Sequence, residues 1–382
     1  VIYYMSAILY HEAVPTNDNQ LGFTEFNQID FSIFAQGRKY LKNSMTLEAD
    51  ISVKLAGADL TLANDIKVDN KIGFHSVIES VSTAAKGQQV ELLQDYPRYV
   101  ASVMSATKDV NDCFTLEAQA EGRQATEDTG KYICQLERQR RITAGGAAGV
   151  LTRPAKFSLK PNFALNRMVG DDYSFQSNGE IKVQINLARN NRVLFGLAGD
   201  GTQSYTLTNV RLRYITVPDD GKQGVIMMNS VVSVKSAINS AQATISARVP
   251  ASRCNGVILN FIEQSNDNSN TANSYRLEQF NGLDSVEYLF NDSTNKYITY
   301  RIENRDEIIR RGLEALADQP YDGGHNQVSH SKLSVNQGFL AGLSFTEYID
   351  LSSQKFTVML NSDITVNSPL VAHLHFFNLL QL

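Results

Sequence analysis

Three long runs in this chain change character with every residue. In Tyr40–Leu55, the residues Met45, Leu47, Ala49, Ile51, Val53 and Leu55 alternate with Thr46, Glu48, Asp50, Ser52 and Lys54. In Gly179–Ala188, the residues Ile181, Val183, Ile185 and Leu187 alternate with Lys182, Gln184 and Asn186. In Ser204–Asp220, Val210, Leu212 and Tyr214 alternate with Arg211, Arg213 and Ile215. A period of two puts apolar side chains on one face of a pleated strand and polar ones on the other. Val, Ile, Thr and Tyr suit such a surface. Pro218, Asp219, Asp220 and Gly221 stop the third run, because proline has no N–H for the ladder and glycine accepts positive φ. After that stop a second strand-rich stretch begins. Ser204–Asp220 is therefore expected to be the last strand of one β-unit and the link to another.

The length of 382 residues suits two such units. A net charge of −5 argues against broad sequence-independent binding of nucleic acid, which needs surplus Lys and Arg. No apolar run approaches the ~20 residues of a membrane span. The apolar start VIYYMSAILYHEAV has no basic n-region and no small-residue cleavage site, so it does not read as a signal peptide. Cys113, Cys134 and Cys254 are an odd number without C-x-x-C spacing. Three reduced, mostly buried thiols are expected, rather than disulfides or zinc, as in a reducing cytoplasm.

Residues 1–37 fit neither a clean strand nor a clean helix and read as an N-terminal arm, packed on its own unit or reaching a neighbour. Strands are expected at Ile72–Val81, Val90–Leu93, around Phe157–Leu165, Val225–Val234, Ala243–Val249, Val257–Ile262, Val286–Phe290, Tyr297–Ile302, Phe339–Ile349, Phe356–Leu360 and Leu370–Phe377. Two helices interrupt them. In Tyr96–Lys108, Pro97 suits the first turn, and Val100, Val103, Met104 and Thr107 share a face. In Asn304–Asp318, Asn304 caps, Glu307 follows at capping-box spacing, and Ile309, Leu313 and Leu316 form the apolar stripe. Each helix is expected inside a long inter-strand loop.

Few residues suggest chemistry. Arg138-Gln139-Arg140-Arg141 suits a solvated face or subunit contact better than a phosphate site. Ala144–Gly149 is glycine-rich but matches neither phosphate-binding glycine motif and reads as a flexible loop. Asn266–Asn273 lacks calcium-loop spacing. His373 and His375 share a strand face, and no third ligand is identified. No catalytic, cofactor-binding or metal-binding residues are assigned, and no cofactor is expected.

Runs of strands separated by turns indicate antiparallel sandwiches. The long early strand Lys39–Leu55, then Gly179–Leu187 and Ser204–Tyr214, then a second strand-rich half of similar size, give a layout over nearly the whole chain. That layout resembles the double jelly-roll major capsid proteins of tailless icosahedral double-stranded DNA viruses, the lineage of internal-membrane phages and adenovirus. The resemblance implies an all-β fold of two consecutive eight-stranded antiparallel jelly rolls with short helices in inter-strand loops. It divides the chain into the arm 1–37, a first roll 38–218 and a second roll 219–382. The short loops suggest a compact, phage-like or virophage-like version.

The resemblance further implies a non-enzymatic virion protein, assembled in the host cytoplasm. It would form homotrimers whose six rolls make a pseudo-hexagonal capsomer, meeting neighbouring capsomers, penton proteins and minor capsid proteins. The N-terminal arm would face an internal membrane, and the genome would not be touched. Both helices are candidate subunit contacts. Two other function classes use strand-rich chains of this kind. A receptor- or glycan-binding spike or adhesin is expected to carry a fibrous or repeated segment, and none is evident. A two-jelly-roll glycan hydrolase needs paired carboxylates. Glu48, Asp50, Glu180 and Glu347 read instead as solvent-face residues, and Trp is absent.

Overall fold

The computed structural model describes residues 8–17, 21–60, 64, 66–108, 112, 115–123, 142–143, 150–151, 154–196, 202–222, 224–291, 297–317, 338–363 and 368–382. The first eight principal strands are β1 (Leu9–Ala13), β2 (Gln28–Ile33), β3 (Thr46–Leu55), β4 (Ile78–Ala85), β5 (Gln88–Leu93), β6 (Ala155–Leu159), β7 (Ile181–Leu187) and β8 (Gln203–Pro218). Their pairings run first with eighth, second with seventh, third with sixth and fourth with fifth, all antiparallel. β8 also pairs with β3, and β7 with β4. This is a long hairpin wrapped on itself, the jelly roll. It makes one sheet in the order β1-β8-β3-β6 and another in the order β2-β7-β4-β5.

The next eight strands repeat the plan. They are β9 (Ile226–Ile238), β10 (Gln242–Ala247), β11 (Cys254–Glu263), β12 (Leu283–Asn291), β13 (Tyr297–Ile302), β14 (Ala341–Ile349), β15 (Lys355–Ser362) and β16 (Leu370–Gln381). β9 pairs with β16, β10 with β15, β11 with β14 and β12 with β13. The sheets are β9-β16-β11-β14 and β10-β15-β12-β13. The fold is thus all-β, with two eight-stranded antiparallel rolls.

The alternating runs face as their sequence requires. Met45, Leu47, Ala49, Ile51 and Val53 are buried, as are Ile181, Val183, Ile185 and Leu187. β8 holds one refinement. Tyr205 and Leu207 point inward, then Val210, Leu212 and Tyr214 do, so the inward parity changes from odd to even. Asn209 absorbs the extra residue at φ +52, where the ladder with β3 shifts register between Thr208 and Arg211. A bulge is the way a strand keeps both halves facing the core, and Asn tolerates the left-handed conformation better than most residues.

Several expectations change. Residues 1–37, expected as an arm, supply β1 and β2, one strand to each sheet of the first roll. Strand pairing decides what the local pattern left open: Ile29, Phe31 and Ile33 bury against the core once β2 lies beside β7. Ile72–Val77 is not extended; Gly73–Val77 is a 3-10 turn before β4. The Asp69 Oδ1 accepts the N–H groups of Lys71 and Ile72, both at 2.8 Å, so the backbone is satisfied locally. Gly73 has φ +53, and a Cβ there would sit 2.1 Å from the Glu121 carbonyl oxygen. Phe163–Leu165 likewise leads into a 3-10 turn at Ala164–Arg167 rather than a second strand. Asn166 fixes it, its Nδ2 donating to the Met45 and Pro161 carbonyls at 2.9 and 2.7 Å. Tyr40–Leu55 is one strand broken in two, with Arg38–Tyr40 pairing β8 ahead of β3.

The principal helices are α1 (Tyr96–Thr107), α2 (Leu116–Glu121) and α3 (Arg305–Ala317). In α3, the Asn304 Oδ1 accepts the Asp306 N–H at 2.8 Å and the Glu307 N–H at 3.4 Å, as capping requires. The Glu307 carboxylate turns instead to Arg310 and Arg311. Ile308, Ile309, Ala315 and Leu316 bury, while Leu313 stays half-exposed. Gly312 lies against Leu340 and Ala341, where a Cβ would approach to 2.9 Å. Cys113, Cys134, Arg138–Arg141, Ala144–Gly149 and the loop Tyr321–Asn336 lie outside the described residues.

Candidate assembly surfaces and the seam between the rolls

The two rolls meet through α1. Of its twelve residues, eleven are buried. One side packs on the first roll. The other reaches the outer face of the second roll's β9-β16-β11 sheet: the Tyr99 ring lies 5.5 Å from His375 and 6.4 Å from Phe377. The Asn260 Nδ2 of β11 donates to the Ser102 hydroxyl at 2.7 Å. A single hydrophobic cluster runs from the first roll's interior through Tyr99 to Val231, Ile258, Tyr275 and Phe377. The second roll keeps a separate core between its own sheets, with Ala372, Leu374 and Phe376 facing it. This explains the sequence of β16: both its faces are inside something. The expectation that 96–108 is a contact between subunits is therefore corrected. Burial within one chain has used up the surface of α1.

Charge is also buried in the seam. Arg98 is fully buried, and among the described residues no carboxylate forms an ion pair with it. Its guanidinium donates to the carbonyls of Arg276, at 2.5 Å, and Ser274. Burial lowers its pKa to about 10, which leaves it charged at neutral pH. Arg192 meets Glu79, the Asp95 Oδ1 at 3.3 Å and the Asp267 Oδ1 at 3.6 Å. Burial alone would lower the Arg192 pKa, but the Tyr275 hydroxyl and these carboxylates raise it. Both guanidiniums lie over the Tyr275 ring, at 5.9 and 5.5 Å from its centroid. Removal of either partner would strand charge in a dry place, which costs more than the pair itself contributes.

The second roll grips back with its Asn-rich loop. The Asn273 Nδ2 donates to the Asp69 Oδ2 at 2.6 Å, and the Asn191 Nδ2 to the Asn268 carbonyl at 2.6 Å. The Gly196 N–H donates to the Asn270 carbonyl at 3.0 Å. Composition showed only a polar loop here; its partners lie some 70 to 200 positions away in sequence, with no local signal to name them. On the other flank, Met168–Gly170 adds a short strand to the edge of β9. A Cβ on Gly170 would come within 2.3 Å of the Val225 carbonyl oxygen, so only glycine fits. Behind it, Arg167 pairs with the buried Glu91 and donates to the Tyr99 hydroxyl at 2.9 Å.

His373 and His375 belong to this seam. The His375 Nδ1 lies 2.8 Å from the Ser233 hydroxyl, and the His373 Nδ1 3.7 Å from the Asp95 Oδ2. Burial pushes the His375 pKa down to about 3. Burial, followed by the nearby Arg98, holds His373 well below its usual value. Both rings are neutral packing groups at pH 7. Among the described residues, no three His, Cys, Asp or Glu side chains gather as a metal would require. Cys254 is buried, and burial raises its thiol to about 12. A cavity of about 100 Å³ beside α1 is lined by His75, Glu117, Glu121, Lys160, Asn166 and Arg167, among others. Glu121 pairs there with Arg123 at 2.6 Å and approaches His75 at 3.5 Å.

Among the described residues, nothing covers the outer face of the first roll's β1-β8-β3 sheet in this way. Arg211 meets Glu12 at 2.5 Å, and Arg213 bridges Glu12 at 3.6 Å and Glu48 at 3.1 Å. Asp50 accepts from the Asn209 Nδ2 at 2.8 Å. Glu180, exposed, accepts from Ser32 and pairs with Lys182, and Glu347 is exposed on β14. These four carboxylates sit on outer surfaces, as their alternation requires. No described helix is long and apolar enough to cross a membrane.

No family model matches the chain, and no curated sequence does. Solved structures do resemble it. The Faustovirus major capsid protein superposes with a TM-score of 0.61 at 10% identity, over 99% of this chain and 90% of that one. The Sputnik virophage structure gives 0.60 at 10% identity, over 100% and 88%. The PBCV-1 VP54 crystal structure, fitted into a Sputnik reconstruction, gives 0.57 at 12% identity, over 100% and 96%. Two eight-stranded rolls in tandem, matched from end to end by these structures, give this chain the double jelly-roll fold seen in viral major capsid proteins.

Proposed function

We propose that this chain is a structural capsid subunit of an icosahedral double-stranded DNA virus, and that it works as a rigid block rather than as a catalyst. The observation that carries this reading is the end-to-end likeness of two tandem rolls to major capsid proteins. The seam supports it physically. Buried α1, the Arg98 and Arg192 clusters and the Asn-rich clasp fix one roll on the other, so each chain tiles as one piece.

Three copies form a trimer of six rolls with a pseudo-hexagonal outline, and trimers meet one another and the penton and minor capsid proteins in the virion shell. The N-terminal arm is the candidate contact with an internal membrane. The acidic net charge of −5 suits a shell that does not bind the genome. The boundary between the two rolls falls between residues 218 and 219. Assembly takes place in the host cytoplasm.

Light scattering with negative-stain imaging of the purified protein tests this. A stable particle of three times 42.4 kDa with a hexagonal outline is expected. A protein that stays monomeric at high concentration would overturn the proposal.

A further inference from the structure

We propose that His11 is an acid-sensitive latch on the first strand: the neutral ring holds β1 on β8 through the Thr216 hydroxyl, and the protonated ring lets β1 come away in mild acid. Every group involved belongs to one chain, so the latch does not depend on the assembly reading above.

The strand is poised to leave. β1 is five residues long and lies at the edge of its sheet, with β8 as its ladder partner. Of its residues only Ala13 packs against the first roll's core, and that one is half-buried. Opening β1 therefore exposes little apolar surface, which puts it at the low-stability end of the fold. Side chains hold it from two sides. On the outer side Glu12 meets Arg211 and Arg213. On the inner side the His11 ring stacks on Tyr214 with centroids 5.0 Å apart, and its Nε2 lies 2.7 Å from the Thr216 Oγ1.

The donors around Thr216 fix the state of the ring. The Arg38 Nε donates to the Thr216 Oγ1 at 2.6 Å, and the Arg38 Nη2 to the Thr216 carbonyl at 3.0 Å. A guanidinium cannot accept, so the hydroxyl receives from Arg38 and gives its own hydrogen to His11. The His11 Nε2 must then be bare, which describes a neutral ring protonated on Nδ1. A proton on Nε2 would aim two donors at one oxygen and turn the hydroxyl hydrogen out. It would also place a second positive charge about 5 Å or less from the Arg38 guanidinium. Arg38 comes from the strand Arg38–Tyr40, and Tyr214 and Thr216 come from β8. Among the described residues no carboxylate forms an ion pair with the ring, and the charge that acts on it is that of Arg38. Burial raises the Tyr214 phenol, so that neighbour stays neutral and offers no compensating charge. Burial, followed by the Arg38 charge, accordingly lowers the His11 pKa from its usual value.

With its folded pKa below the unfolded value of 6.5, His11 keeps the latch closed above pH 6.5 and weakens it as pH falls. Hydrogen exchange of the full chain at pH 7 and pH 5, corrected for the intrinsic dependence on pH, reads this strand by strand. Protection of the β1 amides is expected to fall roughly three- to twentyfold at pH 5, while that of β7, in the other sheet, is unchanged. His11→Gln, whose side-chain oxygen still accepts from Thr216, is expected to protect β1 equally at both pH values. His11→Lys, charged throughout, is expected to leave β1 poorly protected at both. Equal protection of wild-type β1 at pH 7 and pH 5 would overturn the latch. So would a loss at pH 5 that His11→Gln shares, which would place the sensitivity in Glu12 and its arginines instead.

Discussion

The same sheet face occurs twice in this chain, and its two versions differ in everything but strand order. On the second roll, the outer face of β9, β16 and β11 presents Val231, His373, His375, Phe377 and Asn260, all buried under the first roll. On the first roll, the outer face of β1, β8 and β3 presents Tyr10, Glu12, Glu48, Arg211 and Arg213, exposed or half-exposed. Topology is therefore not what sets the chemistry of a face; the neighbour is. A covered face becomes mostly apolar and its histidines stay neutral, because burying an unpaired charge is costly. An open face keeps its charges, where ion pairs contribute little and water serves them well.

Substitutions test this contrast in order of expected size. Arg192→Ala should be the most damaging, at about 3–5 kcal/mol, because it leaves Glu79, Asp95 and Asp267 close together without a cation. Its urea midpoint should rise as pH falls from 7 to 5 relative to the wild type, since burial already pushes the Glu79 carboxyl up and the substitution removes the Arg192 charge that opposes this. A midpoint within error of the wild type at pH 7 would mean that the seam does not depend on this cluster. Phe377→Ala, on the covered face, should cost about 3–5 kcal/mol. Ile215→Ala on the open face should cost about 1 kcal/mol in the monomer, and equal losses in the two would break the comparison.

The neutral histidines give a slope rather than a step. His375 takes up its proton only near pH 3 in the folded chain, but near pH 6.5 when unfolded. Its contribution is complete above pH 6.5 and is lost as pH falls toward 3, by up to about 1.4 kcal/mol per pH unit. Chemical denaturation at pH 7 and pH 5 should show a shallower loss for His375→Gln than for the wild type. At Asn209, Val should destabilise by about 1–2 kcal/mol and Gly should be tolerated, because φ is +52 there. Thermal melts read both. The smallest effect belongs to Arg213→Gln, at most about 1 kcal/mol for the monomer, since its side chain is 52% exposed.

Much of this was legible in the sequence where the information is local. The alternation of β3, β7 and β8, the stop at Pro218, and the Asn304 cap each involve neighbours within a few residues. Tyr96–Thr107 was readable as a helix for the same reason. What α1 touches was not readable, because Ser102 meets Asn260 and Arg98 meets Ser274 across more than 150 positions. β1 was not readable because it is short and mostly exposed and half of its pattern is written in β8, while the local pattern of β2 stayed open until β7 lay beside it. The 3-10 turns at Gly73 and Ala164 look extended in composition; a buried Asp69 and an Asn166 side chain decide otherwise. His373 and His375 drew attention as a pair of possible ligands. Their alternation with Ala372, Leu374 and Phe376 instead marked a strand enclosed on both sides.

Pairing the first strand of each roll with its eighth sets a timetable for synthesis. A ribosome releases β1 long before β8 exists, so the first roll stays open through some 200 residues of growth. The second roll waits for β16, the last of the sixteen strands to emerge. β16 also carries His375 and Phe377, the seat of α1. A chain cut short before it therefore lacks both the closing strand and the landing place for the helix. An incomplete product is left with open edges and an unseated helix, the features that make a partly folded chain prone to aggregate.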